Sequence, residues 1–290
     1  MKKLIILSFS ALVAFSNLAC KSEELQDFIT SSTKKVSSAR IDVGNPHNTN
    51  TSGQYATIWY DKYIIQNNIW GSNPAWQNTW SAAGTGWWAY GVSSGHVNGT
   101  GGIKSFPSAV RGWVYGQWSN NSGLPRQVSG LNGCNFSWNT ETATTGRWNQ
   151  ILDIYFCYDN NPGGNKNKIS CNILLQTNQS SNYYWNGWNQ NNANQTVEYH
   201  TIGGVEYTVV ITQDQEYSTG RKYPWINFHR KYGTNSMSNY DLKPLFDFCR
   251  NRGWIKTTDY LISIQNGWEI VDGNNGNSKL KSNALSHNIW

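Results

Sequence analysis

Residues 260–270 read Tyr-Leu-Ile-Ser-Ile-Gln-Asn-Gly-Trp-Glu-Ile, the clearest strand pattern in the chain, and they include a single carboxylate. Side chains alternate between the two faces of a β-strand. One face then carries Leu261, Ser263, Gln265, Gly267 and Glu269, and the other carries Tyr260, Ile262, Ile264, Asn266 and Trp268. The Ile-rich face predicts the core, so Glu269 is expected on the polar face. An acid in that position is either a catalytic group or a solvated strand carboxylate.

Short β-rich runs recur from Ala56 onward between turns of Gly, Asn and Ser, as is typical of an all-β sandwich or barrel. They are residues 63–70, 87–92, 109–118, 150–158, 169–176, 205–211, 225–232 and 260–270. Only Ser238 to Gly253 has helical spacing, with apolar residues at Leu242, Leu245, Phe246 and Cys249. Ser238 and Asp241 predict its N-terminal box and Gly253 its end. We therefore expect one all-β domain, residues 55–290, with one packed helix.

The composition favours a neutral, hydroxylated ligand. Of 290 residues, only 14% are charged, whereas 14% are aromatic, including 16 Trp and 16 Tyr. Sites for sugars use flat aromatic faces for C–H-rich surfaces and amides for hydroxyl groups. The formal charge is +6, but no Lys/Arg-rich run could follow phosphates, which argues against a nucleic-acid partner. The five His show no metal-ligand spacing, so we expect neither metal nor cofactor.

The N-terminal 19 residues have the pattern of a secretory signal peptide. Lys2 and Lys3 precede a mostly apolar run over residues 4–15, which is too short to span a membrane. The following Leu-Ala-Cys resembles a bacterial lipobox and implies lipidation of Cys20, although an ordinary signal peptide with an incidental cysteine remains open. Residues 20–54 would then be a flexible tether. We expect a secreted lipoprotein that is anchored at the outer membrane or cell surface.

Four other cysteines lie within the predicted domain: Cys134, Cys157, Cys171 and Cys249. An oxidising compartment permits zero, one or two disulfides among them, in three possible full pairings. Their spacing matches no zinc motif.

Several motifs occur in one order along residues 54–290 and together resemble glycoside hydrolase family 12. They are Tyr-Ile-Ile-Gln-Asn-Asn-Ile-Trp at 63–70, Gly-Ile-Lys-Ser-Phe-Pro at 102–107, Leu-Asp-Ile-Tyr at 152–155, Tyr-Asp-Leu at 240–242, and the run that ends at Glu269. The resemblance implies a concanavalin-like β-jelly roll of two curved antiparallel sheets with a cleft for β-glucan. It also implies retaining hydrolysis of β-1,4 links by two glutamates.

The resemblance assigns roles to particular residues. Glu269 lies where the family has its acid/base. Asn68 and Trp70 match the amide and indole that contact glucosyl units, and Lys104 matches a Lys-Ser-aromatic-Pro strand. Asp153 matches the aspartate that hydrogen-bonds the nucleophile from the next strand.

The nucleophile itself is missing from the sequence. The family pattern Glu-x-Met-Ile-Trp should follow Asp153, but residues 169–176 read Ile-Ser-Cys-Asn-Ile-Leu-Leu-Gln and contain no acid. Counting seventeen residues from Asp153, as the family's hairpin suggests, predicts Ser170 at the degenerate nucleophile position, with Asn172 on the same face as a substrate contact. Retaining hydrolysis needs two carboxyl groups about 5–5.5 Å apart.

Three hypotheses follow from the missing glutamate. In the first, Glu269 is the acid and Asp153 activates water, which gives an inverting endo-glycosidase on β-1,4-glucan or a related plant polysaccharide. In the second, the protein is a catalytically inactive surface lipoprotein that binds glycan. In the third, its role is structural or adhesive. In each case we expect a monomer.

Overall fold

The computed structural model describes residues 40–42, 49–51, 55–60, 62–69, 77–83, 88–94, 103–142, 146–180, 195–217, 221–272 and 279–290. This part of the chain folds into two β-sheets and a single α-helix. The predicted all-β jelly-roll sandwich with one helix is thereby confirmed.

The larger sheet contains twelve strands, which are numbered along the chain. Its main path runs through Arg40–Asp42 (β1), Thr57–Tyr60 (β3), Tyr63–Gln66 (β4), Ser108–Val114 (β7), Tyr260–Asp272 (β17), Arg147–Cys157 (β11), Ile169–Gln179 (β12), Arg221–Arg230 (β15), Val205–Tyr217 (β14) and Gln195–Ile202 (β13). Gln117–Trp118 (β8) pairs with β7, and Arg126–Gln127 (β9) pairs with β17. The β1–β3 and β12–β15 pairs are parallel, and the others are antiparallel.

The smaller sheet has six strands in the order Ser236–Asp241 (β16), Cys134–Glu141 (β10), Lys279–Ile289 (β18), Trp88–Ser94 (β6), Gln77–Ala83 (β5) and Thr49–Thr51 (β2). The main core lies between the sheets, where Trp138 of β10 meets Trp268 of β17 with ring centroids 5.7 Å apart. The side of the larger sheet that faces this core is its inner face. The opposite side is called the outer face.

The helix, Lys243–Asn251 (α1), is shorter than predicted at its N-terminus. The expected box was wrong, because Ser236–Asp241 pairs with β10 as strand β16 and Asp241 accepts a hydrogen bond from the Lys243 backbone instead. At the other end, Gly253 has a φ of 76° and closes the helix as predicted. The predicted apolar stripe is buried in the core, where Phe246 meets Phe156 edge to face.

Simple alternation failed at one point of β17. Leu261, predicted on the polar face, is in the main core, whereas Ile262 lies in a separate cluster with Trp113. The cause is a β-bulge: Tyr155 pairs with Ser263 and Phe156 with Leu261, so Ile262 is left without a partner in the ladder. One extra residue in a strand exchanges the faces beyond it. From Ser263 onward the predicted alternation holds.

The segment predicted to be a tether contributes two short strands. Arg40–Asp42 pairs with β3 and Thr49–Thr51 pairs with β5, so residues 20–54 are not wholly linker. Sheet edges offer unpaired backbone groups, which a polar segment can satisfy without apolar side chains. Cys20 and the leader lie outside the described residues.

The four cysteines of the domain are buried free thiols. Burial raises the pKa of Cys134 to about 12, so this thiol is protonated at physiological pH. Within the part of the chain that the structure describes, α1 is too short and too polar to cross a bilayer.

Candidate functional site on the outer face of the larger sheet

Strand β11 presents a buried carboxylate to the outer face. Leu152 and Ile154 pack in the main core, so Asp153 between them points the other way. The hydroxyl of Tyr155 donates to Asp153 Oδ2 at 2.8 Å, and Asn172 Nδ2 donates to Oδ1 at 2.6 Å. Asp153 is 8% exposed. Its carboxylate is thus buried and is held by Tyr155 on its own strand and by Asn172 on β12.

Burial raises the pKa of Asp153 from its ordinary value of 3.8 to about 6. The hydrogen bonds from Asn172 and Tyr155 oppose this rise, as does the charge of Lys166. Desolvation penalises the ionised form, and in this case it outweighs the favourable contacts. A carboxylate that titrates near pH 6 suits a general base, because it is ionised at neutrality and still binds a proton.

Asn172, and not Ser170, occupies the place that the nucleophile was predicted to fill. Tyr155 pairs with Asn172, Phe156 with Cys171, and Cys157 with Ile169, so Ser170 falls in a bulge of β12. Asn172 is the residue that reaches Asp153 from the next strand. The structure therefore does not place Ser170 beside Asp153: the hairpin over residues 158–168 and the bulge bring Asn172, two residues later, to that position.

The register also agrees with the residue pattern of the family. From Asn172, the chain reads Asn-Ile-Leu-Leu-Gln, which follows Glu-x-Met-Ile-Trp with an amide in place of the carboxylate and Gln176 in place of the indole. Asn cannot replace Glu as the nucleophile, because an amide cannot form a glycosyl ester. A carboxylate nucleophile is therefore absent from this position.

Glu269 lies elsewhere on the same face. Its strand neighbours Trp268 and Ile270 are buried in the core, and Asn149 Nδ2 donates to Glu269 Oε2 at 3.0 Å. Glu269 pairs with Asn149, whereas Asp153 pairs with Gln265. Four residues along neighbouring strands separate the two acids, or about 13 Å of strand length at 3.3 Å per residue. Asp153 bonds towards β12, away from Glu269, so the two carboxylates are not a contacting pair.

Two other predicted residues are brought to Glu269. A ladder of isolated bridges joins Ile69 to Ser105 and Ser105 to Ile270, which places Asn68 and Lys104 at the strand end that carries Glu269. Both are buried, and Asn68 has a φ of 44° that turns the chain after β4. Trp70 lies outside the described residues.

A pocket with aromatic walls opens beside Asp153. Its empty volume, including the open mouth, is about 300 Å³, and its walls include Trp113, Tyr115, Tyr155, Tyr223 and Gln265. Lys166 lies 4.3 Å from the ring centroid of Tyr115, so a cation lies at the wall of this pocket. Among the described residues, no cluster of His, Cys, Asp or Glu has the composition of a metal site.

Sequence reasoning missed the polar side chains of β14 and β15 on this face. Ile226 and Phe228 point into the core, and therefore Trp225, Asn227 and His229 point outward. The alternating run Trp-Ile-Asn-Phe-His could have revealed them. Burial holds the pKa of His229 well below its ordinary range, so this imidazole is neutral.

No family model matches the chain. It is 26% identical over 223 residues to Endoglucanase S of Pectobacterium parmentieri, a match that covers 73% of this chain and 77% of that protein. The fold superposes on endoglucanase Cel12A from Rhodothermus marinus with a TM-score of 0.67 and 25% identity, over 83% of this chain and 99% of that one. In sequence and fold the chain is similar to endoglucanases of glycoside hydrolase family 12.

A family 12 xyloglucanase from Bacillus licheniformis has the same fold, with a TM-score of 0.70, 20% identity, and coverage of 83% of this chain and 100% of that one. At the positions that the resemblance singles out, this chain has a glutamate at Glu269 and an amide at Asn172.

Proposed function

We propose that the protein is a glycoside hydrolase-like protein that binds β-1,4-linked glucan or a related plant polysaccharide on the outer face and cleaves it internally by a single displacement. The observation that carries the mechanism is the pairing of a buried Asp153, whose pKa is about 6, with Asn172 in place of a nucleophile. Endoglucanase and xyloglucanase relatives support the substrate class.

The proposed reaction uses two carboxyl groups and one water molecule. Protonated Glu269 gives its proton to the glycosidic oxygen as the bond from C1 to that oxygen breaks. Ionised Asp153 takes a proton from the water whose oxygen bonds to C1 from the other side. The backbones of the two acids are about 13 Å apart along the strands, whereas the carboxyl groups of an inverting pair lie about 6.5–9.5 Å apart, so the step requires the side chain of Glu269 to extend towards Asp153. The anomeric configuration is inverted, and both carboxyl groups exchange one proton with solvent before the next turnover.

The role of Asn149 follows from its bond to Glu269. Its amide donates to Oε2, which fixes the orientation of the carboxyl group. Tyr155 and Asn172 fix Asp153 in the same manner. Sites that are held by such neighbours lose less free energy to reorganisation during the reaction.

The second candidate is glycan binding without turnover. It is favoured by the short bond from Asn172 to Asp153, which occupies one carboxylate oxygen and turns it towards β12. In this alternative, Asp153 and Asn172 are hydrogen-bonding partners for hydroxyl groups of the bound chain. The outer face would then hold polysaccharide at the cell surface.

One experiment separates the two candidates. The purified protein is incubated with cellohexaose, xyloglucan and mixed-linkage glucan, reducing ends are measured, and the anomer that forms first is identified by NMR. Inverted product that Asp153→Asn no longer forms supports the proposed mechanism. Calorimetric binding without new reducing ends supports the alternative, and neither binding nor cleavage would contradict both.

We also propose that the domain acts as a monomer and is carried on a lipid anchor at Cys20, at the outer membrane or cell surface, as the lipobox-like Leu-Ala-Cys suggests. A diacylated cysteine with an acylated amine supplies enough buried chain for stable anchoring. Mass spectrometry of the N-terminal peptide should show fatty acids, and Cys20→Ala should release the protein from membranes. An unmodified wild-type peptide would contradict the anchor.

A further inference from the structure

Three strands on the far side of Asp153 carry buried polar atoms that have no hydrogen-bond partner among the described residues. They are Oε1 of Gln176 on β12, Nδ2 of Asn227 on β15 and Oγ1 of Thr212 on β14. The three residues are 6%, 3% and 5% exposed. Buried polar groups are nearly always paired, so three such atoms on neighbouring strands call for an explanation.

The register places all three on the outer face, along one diagonal of the sheet. Gln176 pairs with His229, two residues from Asn227, and Asn227 pairs with Val210, two residues from Thr212. Diagonal neighbours in a sheet lie about 7–8 Å apart, so Asn227 lies about that far from each of the other two residues. Leu174, which pairs with Asn227, and Trp225, which pairs with Thr212, lie along one side of this line.

The floor between these polar groups is apolar. Trp225 is partly buried and packs against the cluster of Phe106, Ile151 and Leu174. The set therefore combines an indole with one acceptor, one amide donor and one hydroxyl, and it carries no charge. A chain of hydroxylated rings with C–H-rich faces complements this set, because one ring can lie against the indole while its hydroxyl groups pair with Asn227 and Thr212, and the next ring can reach Gln176.

We propose that Trp225, Gln176, Asn227 and Thr212 form a second sugar subsite, about two strand spacings, or roughly 10 Å, from Asp153. Because Gln176 and Thr212 lie two diagonal steps apart, or about 15 Å, it binds consecutive neutral glycosyl units of the same β-glucan chain that passes Asp153, and it determines which neutral sugars are accepted there. This inference rests on the proposed function. It assigns a hydrogen-bonding site to the position where the family pattern has an indole and this chain has Gln176.

The test removes the polar atoms while keeping the shapes of the side chains. Thr212→Val and Asn227→Leu are nearly isosteric, and they are combined in a Glu269→Gln background so that the ligand stays intact. The matched control combines Thr196→Val, on the opposite face of β13, with Asn288→Leu on the smaller sheet; both residues are exposed. Calorimetry with cellohexaose measures the dissociation constant of each protein.

We expect the Thr212→Val/Asn227→Leu protein to bind cellohexaose about tenfold more weakly than its background, since two modest hydrogen bonds are lost, and the control to bind equally well. Its melting temperature should not fall, because the removed atoms have no protein partner. A purely structural role predicts the reverse, namely lower stability with unchanged affinity.

Equal affinity of the double variant and its background would overturn the subsite while leaving the proposed function intact. Failure of the Glu269→Gln background to bind any glucan would instead overturn the proposed function, and the subsite with it. If the double variant does not fold, as judged by circular dichroism, Thr212→Val alone replaces it. An unchanged dissociation constant for that folded variant would equally contradict the proposal.

Discussion

The two halves of the outer face differ in how closely their residues follow the family pattern. The acid half, formed by Asn68, Lys104 and Glu269, has the residues that the family resemblance predicts, joined by one ladder of bridges. The amide half is formed by Asn172, Gln176 and Asn227. Asn172 and Gln176 stand where the family pattern has a glutamate and an indole, and Asn227 was not predicted as a site residue. In the proposed mechanism Glu269 is the proton donor, and Asn172 leaves the nucleophile position without a carboxylate. Hydrolysis would then proceed without a glycosyl-enzyme intermediate.

Glu269→Gln in the acid half should have the largest effect. The amide cannot donate a proton to the glycosidic oxygen, so the initial rate on mixed-linkage glucan should fall by about 10²- to 10⁴-fold. Glu141→Gln, at an exposed glutamate of β10, is the matched control and should leave the rate unchanged. A Glu269→Gln protein with wild-type turnover would show that the two halves do not divide the chemistry in this way.

Asn172→Glu in the amide half should restore what that half lacks. The new carboxylate would lie beside Asp153 and, as a like charge, would raise the pKa of Asp153 further, so that Asp153 holds a proton and donates a hydrogen bond. We expect the new nucleophile to raise the rate of hydrolysis about tenfold, which corresponds to an activation barrier that is lower by about 1.4 kcal/mol. The product should keep its anomeric configuration, whereas the wild-type product should be inverted, and NMR of the first-formed anomer distinguishes them.

Ser170→Glu is the control for this change. Ser170 lies in the bulge of β12 and not opposite Asp153, so a glutamate there should give no gain in rate and should destabilise the fold by burying an unpaired charge. A gain with Ser170→Glu and none with Asn172→Glu would reverse the assignment of the nucleophile position.

The fold was largely predictable from sequence because strand spacing and one helical stripe both depend on local periodicity. Residues such as Leu245 and Phe246 reveal their burial by spacing alone. The helix start was not predictable in this way. Ser238 and Asp241 can begin a helix or join a strand, and pairing with β10, which lies about a hundred residues earlier, decides between them.

The candidate site was predictable only in part. The acid half follows from motifs that are contiguous in sequence, and Asp153 stands out as a charge in an apolar run. The positions of the residues in the amide half depend on the register of the strands. A bulge changes this register, and the sequence contains no pattern that reveals the bulge. Ser170 and Asn172 lie on the same face by alternation, so only the pairing with Tyr155 separates them.

Asp153→Asn tests how much the buried carboxylate beside the amide half lowers the free energy of unfolding. The folded-state pKa of about 6 lies above the ordinary 3.8, so the folded protein binds the proton more tightly than the unfolded chain. This group's contribution is therefore greatest below pH 4 and is lost as the pH rises through 6. Two pKa units correspond to about 3 kcal/mol, so Asp153→Asn should raise the free energy of unfolding at pH 7 by up to about that amount.

Urea unfolding at pH 4, 5, 6 and 7 measures this difference between wild type and Asp153→Asn. Comparing the two proteins cancels the other carboxylates, such as Glu198, whose hydrogen bond from Arg252 lowers its pKa to about 2 and gives the opposite pH dependence. A constant difference across the four pH values would mean that Asp153 has an ordinary pKa. Loss of activity together with a gain in stability would mark Asp153 as a functional group that costs stability.

The smallest effect is expected from Asn68→Gly in the acid half. Asn68 has a φ of 44°, which glycine adopts without strain, so the free energy of unfolding should change by less than about 1 kcal/mol. The amide that would contact the sugar is lost, and cellohexaose should bind about three- to tenfold more weakly. Asn121→Gly is the matched control, since Asn121 has a φ of 48° in an exposed turn. If both variants bind cellohexaose as tightly as wild type, Asn68 turns the chain but does not contact the sugar, and the acid half is reduced to Lys104 and Glu269.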